Sequence, residues 1–383
     1  MPRRLAAALV IATLASRAGA EEPPPPELIY PPYFPINVGI MHPLAANASA
    51  PELWTHLDLS LILGRVGFVD GVQLGPGAWT MYQLRGVQLA AVSVVGARVE
   101  GLQLGAAFAY VDGSLEGLQL SGVLGWTSGD LAGIQVAGVG NQILGDLDGL
   151  QLAGGINVTL QQIRGAQLAG LANIGRVEGL QVGAFNVSAE QLGLQVGAFN
   201  VSRTQRGLQL GIINIARNID GLQIGVVNIT DNLDGESIGL IPIPRRGGIH
   251  PVLWSSNSLL GHLGVRFASR YAYSLLSVAF HGQDRDDAEG REVFYTAGFT
   301  IGARVATGVP DLSLSADLGA HRVFREALKF TDNDEIFKLR VMTGYTLAPR
   351  LTPFLGAGLY LKVRGDDALQ FRYGPELFAG IEL

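Results

Sequence analysis

Between residues 71 and 239 one short unit is written twelve times, and this repetition limits the possible folds more than any other feature of the chain. Every unit opens with glycine, and eleven of the twelve carry glutamine two residues later, while the twelfth has Ser237 there. Successive opening glycines are 15 residues apart twice, then 16 apart four times, then 14 apart five times. The opening residues are Gly71, Gly86, Gly101, Gly117, Gly133, Gly149, Gly165, Gly179, Gly193, Gly207, Gly221 and Gly235. The glutamines are Gln73, Gln88, Gln103, Gln119, Gln135, Gln151, Gln167, Gln181, Gln195, Gln209 and Gln223.

Each unit has the composition of one β-strand followed by a turn. In the unit that opens at Gly207, residues 208–215 alternate apolar, amide and β-branched side chains, and residues 217–220 supply turn chemistry before the next glycine. Glycine recurs inside every unit and the apolar residues follow no 3.6-residue period, which argues against helices. The repeat therefore predicts one strand every 14 to 16 residues.

Asparagine is the second regular mark of the unit. Asn186, Asn200, Asn214 and Asn228 lie seven residues after the opening glycine of their units, and Asn141, Asn157 and Asn173 lie eight residues after it in the longer units. The longer units thus hold one extra residue inside the apolar segment, as at Ala169 and Gly170. A small residue inserted in a strand predicts a β-bulge at this point.

Two architectures fit this spacing. The first is an antiparallel meander in the wall of a membrane barrel, because a ten-residue strand rises about 33 Å and, tilted by about 40°, crosses the ~25 Å apolar band of an outer membrane. The second is a parallel solenoid with one unit per coil, which would stack glutamine on glutamine and asparagine on asparagine as hydrogen-bonded ladders.

The alternation of side chains along the unit supports both architectures in part. Leu208, Leu210 and Ile212 would face one side of a strand and Gln209 the other, as in a barrel with a polar lumen. A continuous strand would, however, place Asn214 on the apolar side. The unit alone does not decide between the two.

Composition excludes several classes of protein. Charged residues are only 16% of the 383 and the net charge is −6, which argues against a nucleic-acid partner. After the first twenty residues no apolar run reaches 18, so no transmembrane helix is predicted. The chain has no cysteine, which excludes disulfides and thiol chemistry.

The N-terminal segments have the pattern of an exported protein. Residues 1–20 predict a cleaved signal peptide, with Arg3 and Arg4 before an apolar core and an Ala-Gly-Ala cleavage site at its end. Residues 21–36 form a proline-rich leader. Residues 37–249 hold the repeats, preceded by predicted strands at 37–41 and 57–69.

The repeat ends before residue 250, and aromatic residues become more frequent in residues 250–383. The pattern of this region predicts barrel strands that follow no fixed period. Seven strands are predicted, at 261–269, 271–281, 292–307, 311–323, 335–348, 351–363 and 370–383. The connections 283–291 and 324–334 are long and polar, whereas 269–270, 308–310 and 348–350 are short. Long loops at one end and short turns at the other are typical of an outer-membrane barrel.

Aromatic residues of this region could form the girdles of such a barrel. They are Phe294, Tyr295, Tyr345, Phe354, Tyr360, Phe371, Tyr373 and Phe378. Since bacterial single-chain barrels have an even number of strands, at least one strand must come from outside the predicted seven, with 57–69 and the repeats as donors. The predicted fold is therefore all-β: one antiparallel outer-membrane-type barrel built partly from the repeats, with a parallel β-solenoid followed by a small barrel as the alternative.

The repeat resembles a bacterial family of cell-surface or outer-membrane proteins with tandem GLQxGxxN units. The resemblance rests on Gly-Leu-Gln-x-Gly-x-x-Asn-[Ile/Val] and on the exit from the array at 235–242 and 245–248, and it covers about residues 55 to 300. Ala166 and Ser237 depart from the pattern. The resemblance implies a location in the cell envelope and no enzymatic activity, and it supplies no functional residue.

The sequence supports no catalytic, cofactor-binding or metal site. The six histidines show no ligand spacing, and no serine is paired with a histidine in a recognisable motif. The acidic clusters at 284–287 and 332–335 could bind calcium or the cations that bridge lipopolysaccharide, but solvated loops are the simpler interpretation. The glutamines would either line a neutral pore or form a ladder that fixes strand register, and the ladder is favoured.

The predicted function is that of an integral outer-membrane barrel with a structural, surface or passive-pore role. Its expected partners are outer-membrane lipid and lipopolysaccharide; no nucleic-acid partner is expected and protein partners are not specified. The alternatives are a secreted or surface solenoid that acts as an adhesin or binding protein, and an outer-membrane barrel enzyme. The enzyme would need a serine or aspartate beside a histidine near one rim of the barrel.

Overall fold

The computed structural model describes residues 32–47, 52–244, 248–283, 292–324, 334–365 and 369–383. The predicted signal peptide, most of the leader and the acidic cluster at 284–287 lie outside these ranges. The described chain is all-β, and none of its segments forms a helix that is long and apolar enough to cross a bilayer. It consists of a parallel solenoid followed by a closed antiparallel barrel.

The solenoid contains the first fourteen strands, and neighbouring coils pair in parallel with equivalent residues in register. Gly149 thus pairs with Gly133 and Gly165, and Gln151 with Gln135 and Gln167. The strands are β1 Ile36–Met41, β2 Leu44–Ala45, β3 Trp54–Leu74, β4 Gly77–Val95, β5 Arg98–Val111, β6 Leu115–Ser121, β7 Leu124–Thr127, β8 Leu131–Ala137, β9 Gly140–Ile143, β10 Leu147–Ala153, β11 Ile156–Ala169, β12 Ala172–Val182, β13 Phe185–Leu233 and β14 Glu236–Pro244. The expectation that the repeats form part of an antiparallel barrel wall is therefore wrong, and the alternative architecture is confirmed.

The opening glycine of each unit is required by two independent constraints. Gly149 has a φ of 141°, which side chains other than hydrogen rarely tolerate. A Cβ atom at this position would also lie 2.0 Å from the carbonyl oxygen of Gly133 in the preceding coil. The close stacking of the coils therefore explains why glycine opens every unit.

The chain turns a corner between the glutamine and the asparagine of each unit. This corner explains how both side chains can face the interior, although a continuous strand would place the asparagine on the apolar side. Gln209 and Asn214 are five residues apart, yet both are fully buried in the interior. A straight strand would place them on opposite faces. In the 16-residue units the corner is a two-residue bend, such as residues 154–155 between β10 and β11. The bulge predicted at Ala169 and Gly170 is wrong, because Ala169 ends β11 and Gly170 begins the bend that leads to β12.

Apolar side chains fill part of the interior of the earlier coils. The residue two places before each opening glycine is buried and stacks on its equivalents, as in Leu84, Leu131 and Ile163. Gln191 and Gln205 take this position in two later coils and are also buried. The interior therefore becomes more polar toward the C-terminal end of the solenoid.

Eight antiparallel strands close the C-terminal barrel. They are β15 Ile249–Ser256, β16 Gly261–Ala268, β17 Ala272–Gln283, β18 Glu292–Ala306, β19 Leu312–Phe324, β20 Glu335–Tyr345, β21 Thr352–Gly365 and β22 Leu369–Glu382. The seven predicted strands are confirmed within three residues at each end. The missing strand is β15, which pairs with β22 through Val252 and Glu382 and closes the barrel. The prediction that 57–69 or the repeats donate it is wrong.

The solenoid contacts one end of the barrel directly. The Glu236 carboxylate, in β14, accepts hydrogen bonds from the Ser269 hydroxyl at 2.5 Å and from the backbone N–H groups of Tyr271 and Ala272 at 2.8 and 2.9 Å. Ser269 and Tyr271 lie in the β16–β17 turn, and Ala272 is the first residue of β17. Because β17 to β22 alternate direction, the turns at 307–311 and 346–351 lie at the same end, which is called the short-turn end below.

Candidate functional site

The barrel wall carries apolar side chains on the outside and polar side chains on the inside. On β19, Leu318 is 66% exposed, whereas its neighbour Asp317 is 3% exposed. On β20, Leu339 is exposed and Arg340 is buried. Other outward residues include Leu253, Leu263, Val265, Val278, Ile301, Val305, Leu314, Val341, Leu355, Leu359, Leu377 and Ile381. A contiguous apolar surface of this extent is typical of a contact surface for another protein or for a membrane.

Exposed aromatic residues lie toward both ends of this wall. Toward the end of the barrel opposite the short-turn end these are Phe280, Tyr295, Phe337, Phe371 and Tyr373, and near the short-turn end they are Tyr271 and Tyr345. Of the residues predicted to form a girdle, Tyr295, Tyr345, Phe371 and Tyr373 are exposed toward the ends of the strands. The prediction is wrong for Phe354 and Phe378, which are buried inside the barrel. The side chain of Phe294 lies outside the described residues, and Tyr360 is half-buried.

Ion pairs occupy the interior of the barrel. Arg340 donates to the two carboxylate oxygens of Asp317 at 2.8 and 3.0 Å, and the Tyr273 hydroxyl donates to the same carboxylate at 2.8 Å. Glu382 accepts hydrogen bonds from Arg266 and from Arg304, the latter at 3.1 Å. Each of these buried charges therefore has an opposite charge within hydrogen-bond distance, as burial requires.

A third ion pair lies toward the opposite end of the barrel. Lys338 Nζ and Ser258 Oγ donate to the Glu376 carboxylate at 2.5 and 2.6 Å. The Lys338 and Glu376 side chains are both fully buried. The three ion-pair groups thus fill the lumen at different heights rather than lining an open channel.

Aromatic rings pack between these charges. The His262 ring stacks on Trp254 with centroids 4.5 Å apart. The Arg340 guanidinium lies 5.5 Å from the Trp254 ring and 5.2 Å from the Phe378 ring, and Arg266 lies 4.4 Å from the Tyr273 ring. Eight-stranded barrels are just wide enough for side chains to fill them, and this interior is filled with rings and ion pairs.

One serine and one histidine meet near the rim opposite the short-turn end. Ser256 Oγ lies 3.2 Å from His262 Nε2. Among the described residues His262 Nδ1 has no hydrogen-bond partner, whereas a catalytic triad needs an acid at this atom. The nearby Glu376 instead binds Ser258 and Lys338. Within the described part of the chain, no acid lies beside the pair to orient the histidine and activate the serine.

The glutamines form a continuous hydrogen-bonded ladder in the solenoid interior. From Gln88 to Gln223, each Nε2 donates to the Oε1 of the glutamine one coil earlier, at 2.6 to 3.1 Å. All eleven side chains are fully buried. The ladder predicted from the sequence is confirmed, and the interpretation of these glutamines as a pore lining is wrong.

The glutamine ladder ends on a carboxylate at the N-terminal end of the solenoid. Gln73 Nε2 donates to Asp58 at 2.9 Å, and Asn37 Nδ2 donates to the other carboxylate oxygen at 2.7 Å. Burial raises the pKa of Asp58 above its ordinary value of 3.8, and the hydrogen bonds from Gln73 and Asn37 oppose this rise. Asp58 thus accepts the last donor of a chain in which all the amides point the same way.

The asparagine ladder has the opposite polarity. From Asn141 to Asn214, each Nδ2 donates to the Oδ1 of the next coil at 2.8 to 3.0 Å. Its donors therefore point toward the barrel, whereas the donors of the glutamine ladder point away from it. Two antiparallel rows of amide dipoles run side by side through the interior.

The described residues contain no group of three or more histidine, cysteine, aspartate or glutamate side chains that could hold a metal ion. The acidic cluster at 284–287 lies outside the described residues, as do Asp332 and Asn333 of the second cluster. Comparison of the chain with protein-family models, with curated proteins and with solved structures gave no match. The resemblance to a surface-repeat family therefore stays a prediction.

Proposed function

We propose that this protein is an integral outer-membrane protein in which a side-chain-filled barrel anchors a β-solenoid to the membrane. The observation that carries the proposal is the polarity of the barrel, with apolar residues outside and ion pairs inside. This is the arrangement that a bilayer stabilises, because lipid replaces water around the wall. The predicted signal peptide and the aromatic residues near both rims agree with it.

A charged substitution on the outer wall tests the proposal. Leu318 lies at the middle of β19 and points outward. Leu318→Arg should destabilise the barrel in phospholipid vesicles by about 2–4 kcal/mol if this position lies near the midplane of a bilayer. In a water-soluble barrel the same exposed substitution should change stability by no more than about 0.5 kcal/mol.

Two measurements complete this test. The native chain should remain with the membrane fraction until detergent is added, and its mobility on a gel should change on heating. Unfolding by urea in vesicles then gives the effect of Leu318→Arg, with Arg350→Ala in the exposed β20–β21 turn as the matched control. A chain that is soluble without detergent, together with a neutral Leu318→Arg, would contradict the proposal.

The filled lumen favours a structural role over a passive pore. Arg340, Lys338 and His321 are each at most 2% exposed inside the barrel. Moving ions past them would require several buried ion pairs to open. We expect the purified barrel to give no steady conductance in planar bilayers, and regular open-channel steps would support the pore instead.

The contact between solenoid and barrel supports a proposal for the side of the membrane on which the solenoid lies. Short turns of outer-membrane barrels face the periplasm and longer loops face outward. Because Glu236 contacts the end of the barrel opposite the two long connections, 284–291 and 325–334, we propose that the solenoid lies in the periplasm. This differs from the expectation of a surface-exposed repeat.

Cysteine labelling of intact cells tests this assignment. The natural chain has no cysteine, so single substitutions report one position each. Ala288→Cys, in the connection between β17 and β18, should react with an impermeant maleimide, whereas Arg203→Cys on the solenoid should react only after the outer membrane is opened. The reverse pattern would place the solenoid on the cell surface and would support the adhesin alternative.

A further inference from the structure

The wall of the barrel is lower on one side than on the other. Strands β15 and β16 have 8 residues each, whereas β17 to β22 have between 11 and 15. At the short-turn end, Ala268 of β16 pairs with Tyr273 beside the start of β17, so the two strands are level there. The missing length of the short hairpin therefore lies at the opposite end of the barrel.

A notch in the wall results between β17 and β22. The ladder between β15 and β22 stops at Ser256 and Phe378, although β22 begins at Leu369. The ladder between β16 and β17 likewise stops at Gly261 and Phe280, three residues before β17 ends. Both flanking strands therefore rise above the hairpin that β15 and β16 form.

The turn of this hairpin bends into the lumen and does not fill the notch. Leu259 is only 1% exposed, and its neighbour Ser258 donates to the buried carboxylate of Glu376. Asn257 fixes the turn to β22, because its backbone N–H donates to the Leu377 carbonyl and its Oδ1 accepts from the Leu377 N–H. Within the part of the chain that the structure describes, the notch is thus open toward the outside of the barrel.

An apolar cleft of about 630 Å³ lies on the outer wall beside the tip of this hairpin. The exposed side chains that line it are those of Leu253, Leu263, Val278, Phe280, Tyr295 and Ile381. Gly261 and Ala379 lie between them and carry little or no side chain, which leaves the depression. His262 also borders the cleft, but its ring is buried and stacks on Trp254 inside the barrel.

We infer that this cleft holds one acyl chain of a membrane lipid. The lining is aliphatic and aromatic, which suits a hydrocarbon chain and offers little hydrogen bonding to a polar ligand. Inside a bilayer, packing rather than exclusion of water favours the chain, because an unfilled depression between ordered side chains loses dispersion contacts. This inference rests on the proposed function, since the wall must first be in lipid for a chain to enter from the side.

The part of β22 above the hairpin indicates where the polar end of the lipid lies. Among the described residues, Leu369 to Tyr373 pair only with β21. Open sheet edges are not stable in the hydrocarbon region, and exposed aromatic residues mark the level of the headgroups. Tyr373 is 85% exposed and Phe371 is also exposed, so this edge belongs at the headgroup level, with the cleft below it.

A lipid chain is favoured over a strand of a second copy as the occupant of the cleft. The floor of the cleft is formed by β15, β16 and β17, and β16 is paired with a neighbour on both sides. It therefore presents side chains and no free backbone groups with which an added strand could form a ladder. A contact between two copies is treated as an outcome of the test.

Native mass spectrometry of the full chain, extracted into detergent from phosphatidylethanolamine vesicles, tests the inference. Ala379→Trp places a large ring in the cleft, and Ala320→Trp places the same ring on the outer wall at β19 as the matched control. We expect the native chain and Ala320→Trp to retain one phospholipid, and Ala379→Trp to lose it. The change of gel mobility on heating shows whether each variant has folded, and Val278→Trp, in the same cleft, replaces Ala379→Trp if that variant does not fold.

A fluorophore at Leu318→Cys separates failure of the inference from failure of the proposed function. Nitroxide groups on the lipids quench it if the barrel wall lies in the bilayer. Quenching at this position without a retained phospholipid on the native chain would overturn the inference alone, whereas absence of quenching would overturn the proposed function. Retention that does not depend on the cleft variant, or a dimer that holds together without lipid, would also overturn the inference.

Discussion

The solenoid and the barrel both bury many polar side chains, but they satisfy the hydrogen-bonding groups of these side chains in different ways. In the solenoid, uncharged amides bond to identical amides 13 to 16 residues away. In the barrel, charged pairs join residues as far apart as Lys338 and Glu376, or Arg266 and Glu382. A repeated neutral group can be satisfied by its own copy in the next coil, whereas a charge needs an opposite charge, which a repeat of identical residues does not supply.

The same comparison explains why the two regions tolerate change differently. Each coil touches only its neighbours, so a local defect in the solenoid should remain local. The barrel closes only when β15 meets β22, so its ion pairs depend on the whole ring. Four predictions test or sharpen this contrast, beginning with the largest expected effect.

Breaking the central ion pair of the barrel should have the largest effect. Arg340→Ala removes the guanidinium that pairs with Asp317 and leaves the buried carboxylate without an opposite charge. A loss of this kind typically costs about 3–5 kcal/mol of folding free energy. Urea unfolding in vesicles measures the loss, with Arg350→Ala as the exposed control. Because the Tyr273 hydroxyl also donates to Asp317, the triple substitution Arg340→Met, Asp317→Leu and Tyr273→Phe should recover most of the stability. A triple variant as unstable as Arg340→Ala would contradict this account.

Adding a methyl group to a stacked glycine should have the next largest effect. Gly149→Ala combines an unfavourable φ with a Cβ atom 2.0 Å from the Gly133 carbonyl oxygen. Gly308→Ala, in a barrel turn, meets a positive φ of 80° but no atom within 4 Å. The backbone conformation alone should cost each variant about 1–3 kcal/mol of stability. The loss of stability should therefore be larger for Gly149→Ala than for Gly308→Ala, by the free energy needed to move the coils apart.

Hydrogen exchange distinguishes where these two glycine variants act. Gly149→Ala should increase exchange in the coils on either side of position 149 and leave the barrel protected. Equal losses of stability in the two variants would show that the close approach of coils contributes nothing beyond the dihedral constraint.

Interrupting the glutamine ladder should have a smaller effect that depends on position. Gln151→Leu removes the acceptor of Gln167 and the donor to Gln135, and unsatisfied buried groups of this kind cost about 1–3 kcal/mol. Gln223 ends the ladder, and its one ladder bond is the donation to Gln209. Gln223→Leu should therefore cost less than Gln151→Leu in thermal unfolding, and equal costs would argue against a cooperative ladder.

The smallest expected effect is the pH dependence of the first coil. Because burial raises the pKa of Asp58, the folded state binds this proton more tightly than the unfolded chain does. The resulting stabilisation is fully present below the ordinary pKa of 3.8 and is lost as pH rises through the higher folded-state value. In Asp58→Asn the new amide can donate to Asn37 Oδ1 once the Asn37 side chain is turned. Amide hydrogen exchange in β1 and β3, which contains Asp58, should then depend less on pH between 3.8 and the higher folded-state pKa. Unchanged pH sensitivity would contradict the role of Asp58.

Local pattern was sufficient to predict most strands of the barrel. Long alternating segments between polar connections located β16 to β22, because the period of two is a property of neighbouring residues. The strand β15 was missed, since residues 249–256 contain Pro251 and directly follow the array, where the change of period hides their alternation. The Ser256 and His262 contact was also missed, because the two residues are brought together only by the hairpin of β15 and β16.

By itself, the sequence determined that glycine and glutamine recur at fixed spacing and predicted an all-β chain, and it favoured a glutamine ladder over a pore lining. Only the tertiary structure decided that the coils run parallel, that a corner separates Gln209 from Asn214, and that Phe354 and Phe378 turn into the barrel. The reason is physical: periodicity records which residues are equivalent, and the same period is compatible with a neighbour that runs up or down. Strand direction, corners and the pairing of distant charges depend on how the chain closes on itself in space.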